Sequence, residues 1–176
     1  RSFAAYVLWN RLDTQQHEFY NGPLKDQVYA IPTMSVVIML KPDFAPPYYV
    51  LPWMLIQNGK LREGMDLARQ GAENNPRSGL LRMAYAQLLS IKENDWEAAA
   101  KQADLALRSD TVWADDVEHW QELRIAEDIY LRVGQKEKAG QVAALLDALS
   151  ARIDSTQPAD ALGQSHDHNG DGKPDH

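Results

Sequence analysis

The sequence predicts an all-α fold in which antiparallel helical hairpins are stacked side by side. The first observation is composition: of 176 residues, 44% are hydrophobic and 24% are charged, as in a globular chain with a buried core. The second is a segment of two amphipathic helices that occurs three times between residues 45 and 150. The third is a series of small residues in the second helix of each copy, which indicates closely packed helices.

The first copy contains two helical patterns separated at Asn58-Gly59 and stopped at Asn75-Pro76. Asparagine, glycine and proline at these points favour turns over continued helix. Pro52 lies inside the first of the two helices, where it removes a backbone donor, so we expect a kink there.

The second and third copies follow the same plan. The second breaks between Glu93 and Asp95, and the third turns at Gly134. The packing positions of their second helices are Ala99, Ala103 and Ala106 in the second copy, and Ala139, Ala143 and Leu146 in the third. Between the second and third copies, the insertion TVWADDVEH lengthens the step from one copy to the next, which predicts an irregular stack.

These segments resemble the tetratricopeptide repeat, a helical hairpin of 34 residues. The family pattern is matched in the first copy by Tyr48, Leu51, Leu55, Gly59, Gly64, Ala68, Gly71 and Pro76. It is matched in the second by Tyr85, Ala86, Leu89, Ala99, Ala103 and Ala106, and in the third by Leu123, Ala126, Tyr130, Gly134, Ala139 and Ala143. The resemblance implies that residues 45–153 form three repeats of a short right-handed solenoid.

The flanking segments are less regular. Residues 1–44 are predicted to form a helical cap or a degenerate repeat whose second helix is broken by Pro32, and residues 154–165 form a polar linker. The opening RSFAAYVLWNRL is either a core-facing first helix or the stub of a membrane anchor that continues upstream, and both interpretations stay open. No apolar stretch approaches the roughly 20 residues of a membrane-spanning helix.

Charge and composition narrow the classes of function. A formal net charge of −7 disfavours binding to nucleic acid or to an anionic membrane. The absence of cysteine removes thiol catalysis, disulfides and thiolate metal sites. His17-Glu18 and His119 have no nucleophile at a recognisable spacing, and Asp115-Asp116 belongs to a charged helical face. We therefore predict a protein that is not an enzyme.

The segment HDHNGDGKPDH, residues 166–176, has the spacing of a partial calcium-binding loop. Oxygen ligands at alternate positions, with glycine at the sharp turn, are what Ca²⁺ requires. The predicted ligand positions are Asp167, Asn169, Asp171, Lys173 and Asp175. The loop resembles those of dockerin and thrombospondin type 3 repeats, and we expect a dissociation constant of about 0.1–1 mM unless another surface completes the coordination.

Three alternatives to calcium binding remain at this tail. It could be a solvated acidic segment, or an artefact of purification. His166, His168 and His176 could instead bind zinc or another transition metal, which prefers nitrogen ligands. Calcium is favoured over zinc because the oxygen spacing is the more detailed match.

The resemblance also implies a partner-binding groove, because the first helices of such hairpins usually face the ligand. The corresponding positions are Tyr49, Trp53, Gln57, Met83, Gln87, Arg124, Asp128 and Arg132. One aromatic end and one charged end would suit an extended peptide or an amphipathic helix. The lysine and asparagine arrangement with which chaperone-binding members hold a terminal carboxylate is not reproduced, which disfavours that role.

The preferred interpretation is a non-catalytic scaffold, extracytoplasmic in a bacterial cell envelope, that docks a protein partner and carries a calcium-stabilised tail. The alternatives are an accessory subunit of a larger membrane or electron-transfer complex, and a metal-handling protein that works through its histidine tail. Self-association is also compatible with the sequence.

Overall fold

The computed structural model describes residues 1–19 and 29–156, and within the first helix it describes side chains only as far as Leu12. In this part of the chain every regular element is a helix, which confirms the all-α prediction, and the sole β-type pairing is an isolated bridge. The helices are α1 (Ser2–Phe19), α2 (Ala30–Leu40), α3 (Ala45–Gln57), α4 (Leu61–Asn74), α5 (Gly79–Lys92), α6 (Trp96–Ala106), α7 (Asp116–Arg132) and α8 (Lys136–Thr156).

Three hairpins, α3–α4, α5–α6 and α7–α8, form the most extensive helix contacts, and each turn lies where the sequence predicts it. Each turn contains one residue with positive φ: Gly59 at 77°, Asn94 at 55° and Gly134 at 77°. Glycine and asparagine tolerate this left-handed conformation better than other residues. The chemistry of these three positions therefore fixes where the chain reverses.

Small side chains allow close contact inside the hairpins. A Cβ on Gly71 would lie 2.6 Å from the Cβ of Tyr48, and one on Gly64 would lie 2.7 Å from the carbonyl oxygen of Pro52. In the second hairpin, Ala99 and Ala103 are fully buried. Helix α3 continues through Pro52, with its carbonyl against α4, so the proline is part of a helix interface.

Successive hairpins are joined by packing of α5 on α4 and of α7 on both α5 and α6. The Tyr130 hydroxyl on α7 donates a hydrogen bond of 2.8 Å to Asp104 on α6, and Lys138 on α8 pairs with the same carboxylate at 2.6 Å. Arg152 and Asp116 form a two-pronged ion pair, both contacts at 2.9 Å, between the two ends of the last hairpin. One hydrophobic core consequently extends from α4 to α8.

The N-terminal helices form a second core with α3. Ala5 and Leu12 of α1 are buried, as are Met34 and Val37 of α2. Pro32 does not break α2, contrary to the sequence prediction, because the helix begins at Ala30 and the proline lies in its first turn, where backbone N–H groups have no partner within the helix. None of the helices described is both long and apolar enough to cross a membrane.

The insertion between the second and third hairpins returns to the start of α5. Val112 donates a backbone hydrogen bond of 2.7 Å to Arg77 and accepts one of 3.1 Å from Gly79. The Trp113 ring then covers Gly79, where a Cβ would lie 2.4 Å from the ring. The insertion is therefore anchored to the preceding hairpin, an arrangement that the sequence did not reveal.

Helix α8 extends to Thr156, past residue 153, where the sequence placed the end of the third repeat. The Ser155 and Thr156 hydroxyls each donate to a carbonyl three residues earlier, which satisfies acceptors of the last turn. The rest of the predicted linker and the calcium-loop tail, residues 166–176, lie outside the described residues.

Candidate partner-binding surface

The first helices of the three hairpins, α3, α5 and α7, contact one another in sequence and carry the predicted groove residues. On α3, Tyr49 is 38% exposed, Gln57 is exposed, and Trp53 is half-buried against the main core. The Lys92 ammonium lies 5.7 Å from the centre of the Trp53 ring, so part of this tryptophan face is already covered by a cation.

Helix α5 contributes less surface than the sequence suggested. Met83 is 0% exposed and packs in the main core, so it offers no contact to a partner. Gln87 is half-buried. The resemblance placed Met83 outward because the family pattern assigns that position to the groove, whereas here its side chain packs in the main core.

The charged end of the predicted groove forms what we call the Arg–Trp strip, composed of Trp120, Arg124, Asp128, Arg132 and Trp96. The Arg124 guanidinium lies 5.1 Å from the centre of the Trp120 ring, and that of Arg132 lies 5.0 Å from the Trp96 ring. Asp128 borders two shallow depressions of about 360 and 300 Å³, one beside each arginine. Both arginines thus lie on aromatic rings, next to an exposed carboxylate.

Two glutamates that sequence reasoning missed lie on a different face of α7 from the Arg–Trp strip, about 200° around the helix from Trp120 and Arg124. Glu118 and Glu122 lie one helical turn apart on α7, and they act electrostatically on Tyr49 of α3. Burial, then Glu122 and then Glu118, raise the pKa of the Tyr49 hydroxyl above its usual value. We call these three residues the acidic site.

Glu122 is the most unusual member of the acidic site. Its side chain is on the buried face of α7, at 7% exposure, in a position normally occupied by an apolar residue. Burial, with a smaller contribution from Glu118, raises the pKa of Glu122 to about 7. The carboxyl therefore changes charge close to neutral pH.

Glu118 is held in place by the N-terminus of α7. Its carboxylate accepts a hydrogen bond of 2.9 Å from the Ala114 backbone, and its own backbone donates one of 2.8 Å to Asp115. This arrangement is a variant of the capping box in which Glu118 reaches the backbone N–H of the residue before the N-cap Asp115, and it fixes the direction of the helix start. The Glu118 side chain is therefore positioned before any partner binds.

An apolar cleft adjoins the acidic site. It has a volume of about 410 Å³, and we call it the Trp113 cleft. Its lining includes Ala45, Pro76, Leu80, Val112, Trp113 and Glu118. The anchored insertion forms one wall and the start of α5 another, while Glu118 belongs both to the cleft and to the acidic site.

His119, one of the histidines weighed in the sequence analysis, lies in the first turns of α7. His119 stacks on Trp113 at 4.5 Å between ring centres, and burial lowers the pKa of the histidine. Within residues 1–19 and 29–156, no group of three or more metal-ligating side chains is found. The predicted calcium ligands Asp167, Asn169, Asp171, Lys173 and Asp175 are outside these ranges.

A scan against protein-family models finds no match for the chain, and a search of curated proteins finds no significant relative.

Proposed function

We propose that the chain is a non-catalytic scaffold with a tetratricopeptide-like arrangement of hairpins, which docks a protein partner on the surface formed by α3, α5 and α7. The spacing of the hairpins supports this arrangement: α3 begins at Ala45, α5 at Gly79 and α7 at Asp116, which are steps of 34 and 37 residues. The first step equals the period of the tetratricopeptide repeat.

The observation that carries the proposal is that Ala45 of α3 and Glu118 of α7 line the same cleft, while Glu118 and Glu122 act electrostatically on Tyr49, one helical turn after Ala45. An aromatic side chain from the first of these hairpins and two carboxylates from the third act on one another across the intervening hairpin. Side chains that are far apart in sequence are therefore brought together, and the two carboxyl groups and the partly exposed Tyr49 ring are available to a partner. Such faces recognise peptides or helices by combining an apolar anchor with charged contacts.

Affinity purification with the full chain as bait, followed by mass spectrometry, tests the proposal when it is combined with surface variants. Tyr49→Ala should reduce recovery of the specific partner, whereas Leu61→Ala, a change at a similarly exposed residue at the start of α4, should not. Equal recovery by both variants and the unaltered chain would mean that the partner binds elsewhere.

An extracytoplasmic location and a calcium-binding tail are proposals that rest on the sequence alone. The spacing of Asp167, Asn169 and Asp171 supports calcium as the metal. If a partner completed the coordination, metal binding and assembly would be coupled, because each would stabilise the other.

A further inference from the structure

A buried carboxyl without a counter-ion needs a physical explanation. Glu122 is 7% exposed, and among the described residues it has neither an ion pair nor a hydrogen-bond donor. Its charged neighbour is another acid, Glu118. Buried charges in proteins are normally paired, because transfer from water to a low-dielectric interior costs several kcal/mol per ion.

Three cations of the last hairpin are already engaged. Arg152 binds Asp116, Lys138 binds Asp104, and Arg124 lies on the Trp120 ring. No cation contributes to the electrostatics of Glu122 in the part of the chain that the structure describes. A positive group that reached Glu122 from outside would therefore meet two unneutralised carboxylates.

The surroundings favour an organic cation. Tyr49 presents a partly exposed ring whose hydroxyl is within electrostatic range of the two glutamates, and aromatic rings attract ammonium and guanidinium groups. The Trp113 cleft, which shares Glu118, would accept an apolar side chain from the same segment. Four residues separate the two glutamates, a rise of about 6 Å along the helix, which an extended peptide covers in about two residues.

Resting on the docking function proposed above, we propose that the partner contributes a segment with a lysine or arginine and, about two positions away, an apolar residue. Glu118 and Glu122 hold the cation beside Tyr49, and the apolar residue lies in the Trp113 cleft. An ion pair with the partner's lysine or arginine supplies the positive charge that the buried Glu122 carboxyl lacks. It also fits a chain with a net charge of −7, which attracts basic segments during encounter.

Peptide selection on the purified full chain tests the proposal directly. Random dodecapeptides displayed on phage are selected at about pH 8, where Glu122 is ionised, and at an ionic strength of about 0.15 M, where long-range attraction is screened. Enriched peptides are synthesised with a fluorescent label, and their affinities are measured by anisotropy. A matched peptide with citrulline in place of arginine removes the charge while keeping the shape.

The variant for this test is Glu118→Gln combined with Glu122→Gln. Glutamine keeps both shapes and can still complete a capping box at position 118. The control is Glu93→Gln with Asp147→Asn, which removes the same charge from exposed positions outside the site. Circular dichroism of both proteins checks that the helices are retained.

The expected result is enrichment of a lysine or arginine at a fixed distance from an apolar residue. We expect the glutamine variant and the citrulline peptide each to weaken binding about tenfold or more, and the control variant to weaken it less than about twofold. Enriched peptides without a basic residue, or equal losses in the two variants, would overturn the inference and leave the docking function intact. No enrichment of any peptide would contradict the docking function itself.

Discussion

The hydroxyl of Tyr130 donates a hydrogen bond of 2.8 Å to the carboxylate of Asp104, which also pairs with Lys138 at 2.6 Å. Tyr130 is fully buried on α7, and its partner belongs to the preceding hairpin. Burial and the neighbouring carboxylate both raise the pKa of the tyrosine hydroxyl, so it remains a protonated donor. This contact links the second hairpin to the third.

Tyr130→Phe should lower the free energy of unfolding by about 1–2 kcal/mol, since it removes a hydrogen bond to a charged acceptor. Urea denaturation monitored by circular dichroism measures the change. Lys138→Met removes the second partner of the same carboxylate, a partly exposed ion pair that should cost less than about 1 kcal/mol. A loss below about 0.5 kcal/mol from Tyr130→Phe would show that the hydroxyl contact does not link the hairpins.

Gly71→Ala should destabilise the chain by about 1–3 kcal/mol through overpacking. The added Cβ would lie 2.6 Å from the Cβ of Tyr48, an atom that cannot move without shifting the backbone of α3. Gly140→Ala is the matched control, because no atom lies within 4 Å of its added Cβ. In an open helical position the same change should stabilise by about 0.5–1 kcal/mol. Stabilisation by both changes, measured by urea unfolding, would contradict the close α3–α4 packing.

Glu122→Gln should change how stability depends on pH. The pKa of Glu122 is raised from 4.5 to about 7 in the folded chain, so between these values the folded state binds more protons than the unfolded state. Stability should therefore fall as pH rises through this window, by about 2–3 kcal/mol in total, and the glutamine variant should lack this decrease.

Urea unfolding at about pH 4.5 and pH 8 measures the effect, as the difference in unfolding free energy between the two pH values. Glu93→Gln, at an exposed position outside the site, should leave that difference unchanged. Identical pH dependence in the unaltered chain and in Glu122→Gln would show that the Glu122 carboxyl is solvated.

The tail should bind calcium with a dissociation constant of about 0.1–1 mM, as expected for an incomplete oxygen loop. Isothermal titration calorimetry with calcium and then zinc measures this. Asp171→Asn should weaken calcium binding, and deletion of residues 164–176 should abolish it. Tight zinc binding with no response to calcium would instead favour the metal-handling alternative.

Much of the fold is predictable from the sequence because its determinants are local. Gly59 and Gly134 mark turns by their conformational freedom, and the small residues at Gly71 and Ala103 mark the packed faces of second helices. The position of Pro32 was misjudged because a proline in a first turn and a proline in a helix interior differ only in where the helix starts.

The candidate site is less predictable because it depends on contacts between hairpins. Met83 fits an outward position in the family pattern, yet it is fully buried in the main core, which several hairpins share. In the sequence, Glu122 looks like an exposed glutamate on a charged helix, because its burial depends on how α7 packs against the other helices. The path of the insertion, which brings Val112 back to Gly79, depends on backbone pairing that leaves no periodic signal.

The most direct measurement is the titration of the Glu122 side-chain carboxyl, followed by carbon NMR in the ligand-free chain. The burial of Glu122 on α7, with Glu118 one helical turn away, predicts a midpoint near pH 7, which should fall when Glu118→Gln removes the neighbouring charge. A midpoint near 4.5 that does not respond to Glu118→Gln would show that the carboxyl is in water, and would contradict both the acidic site and the docking surface built around it.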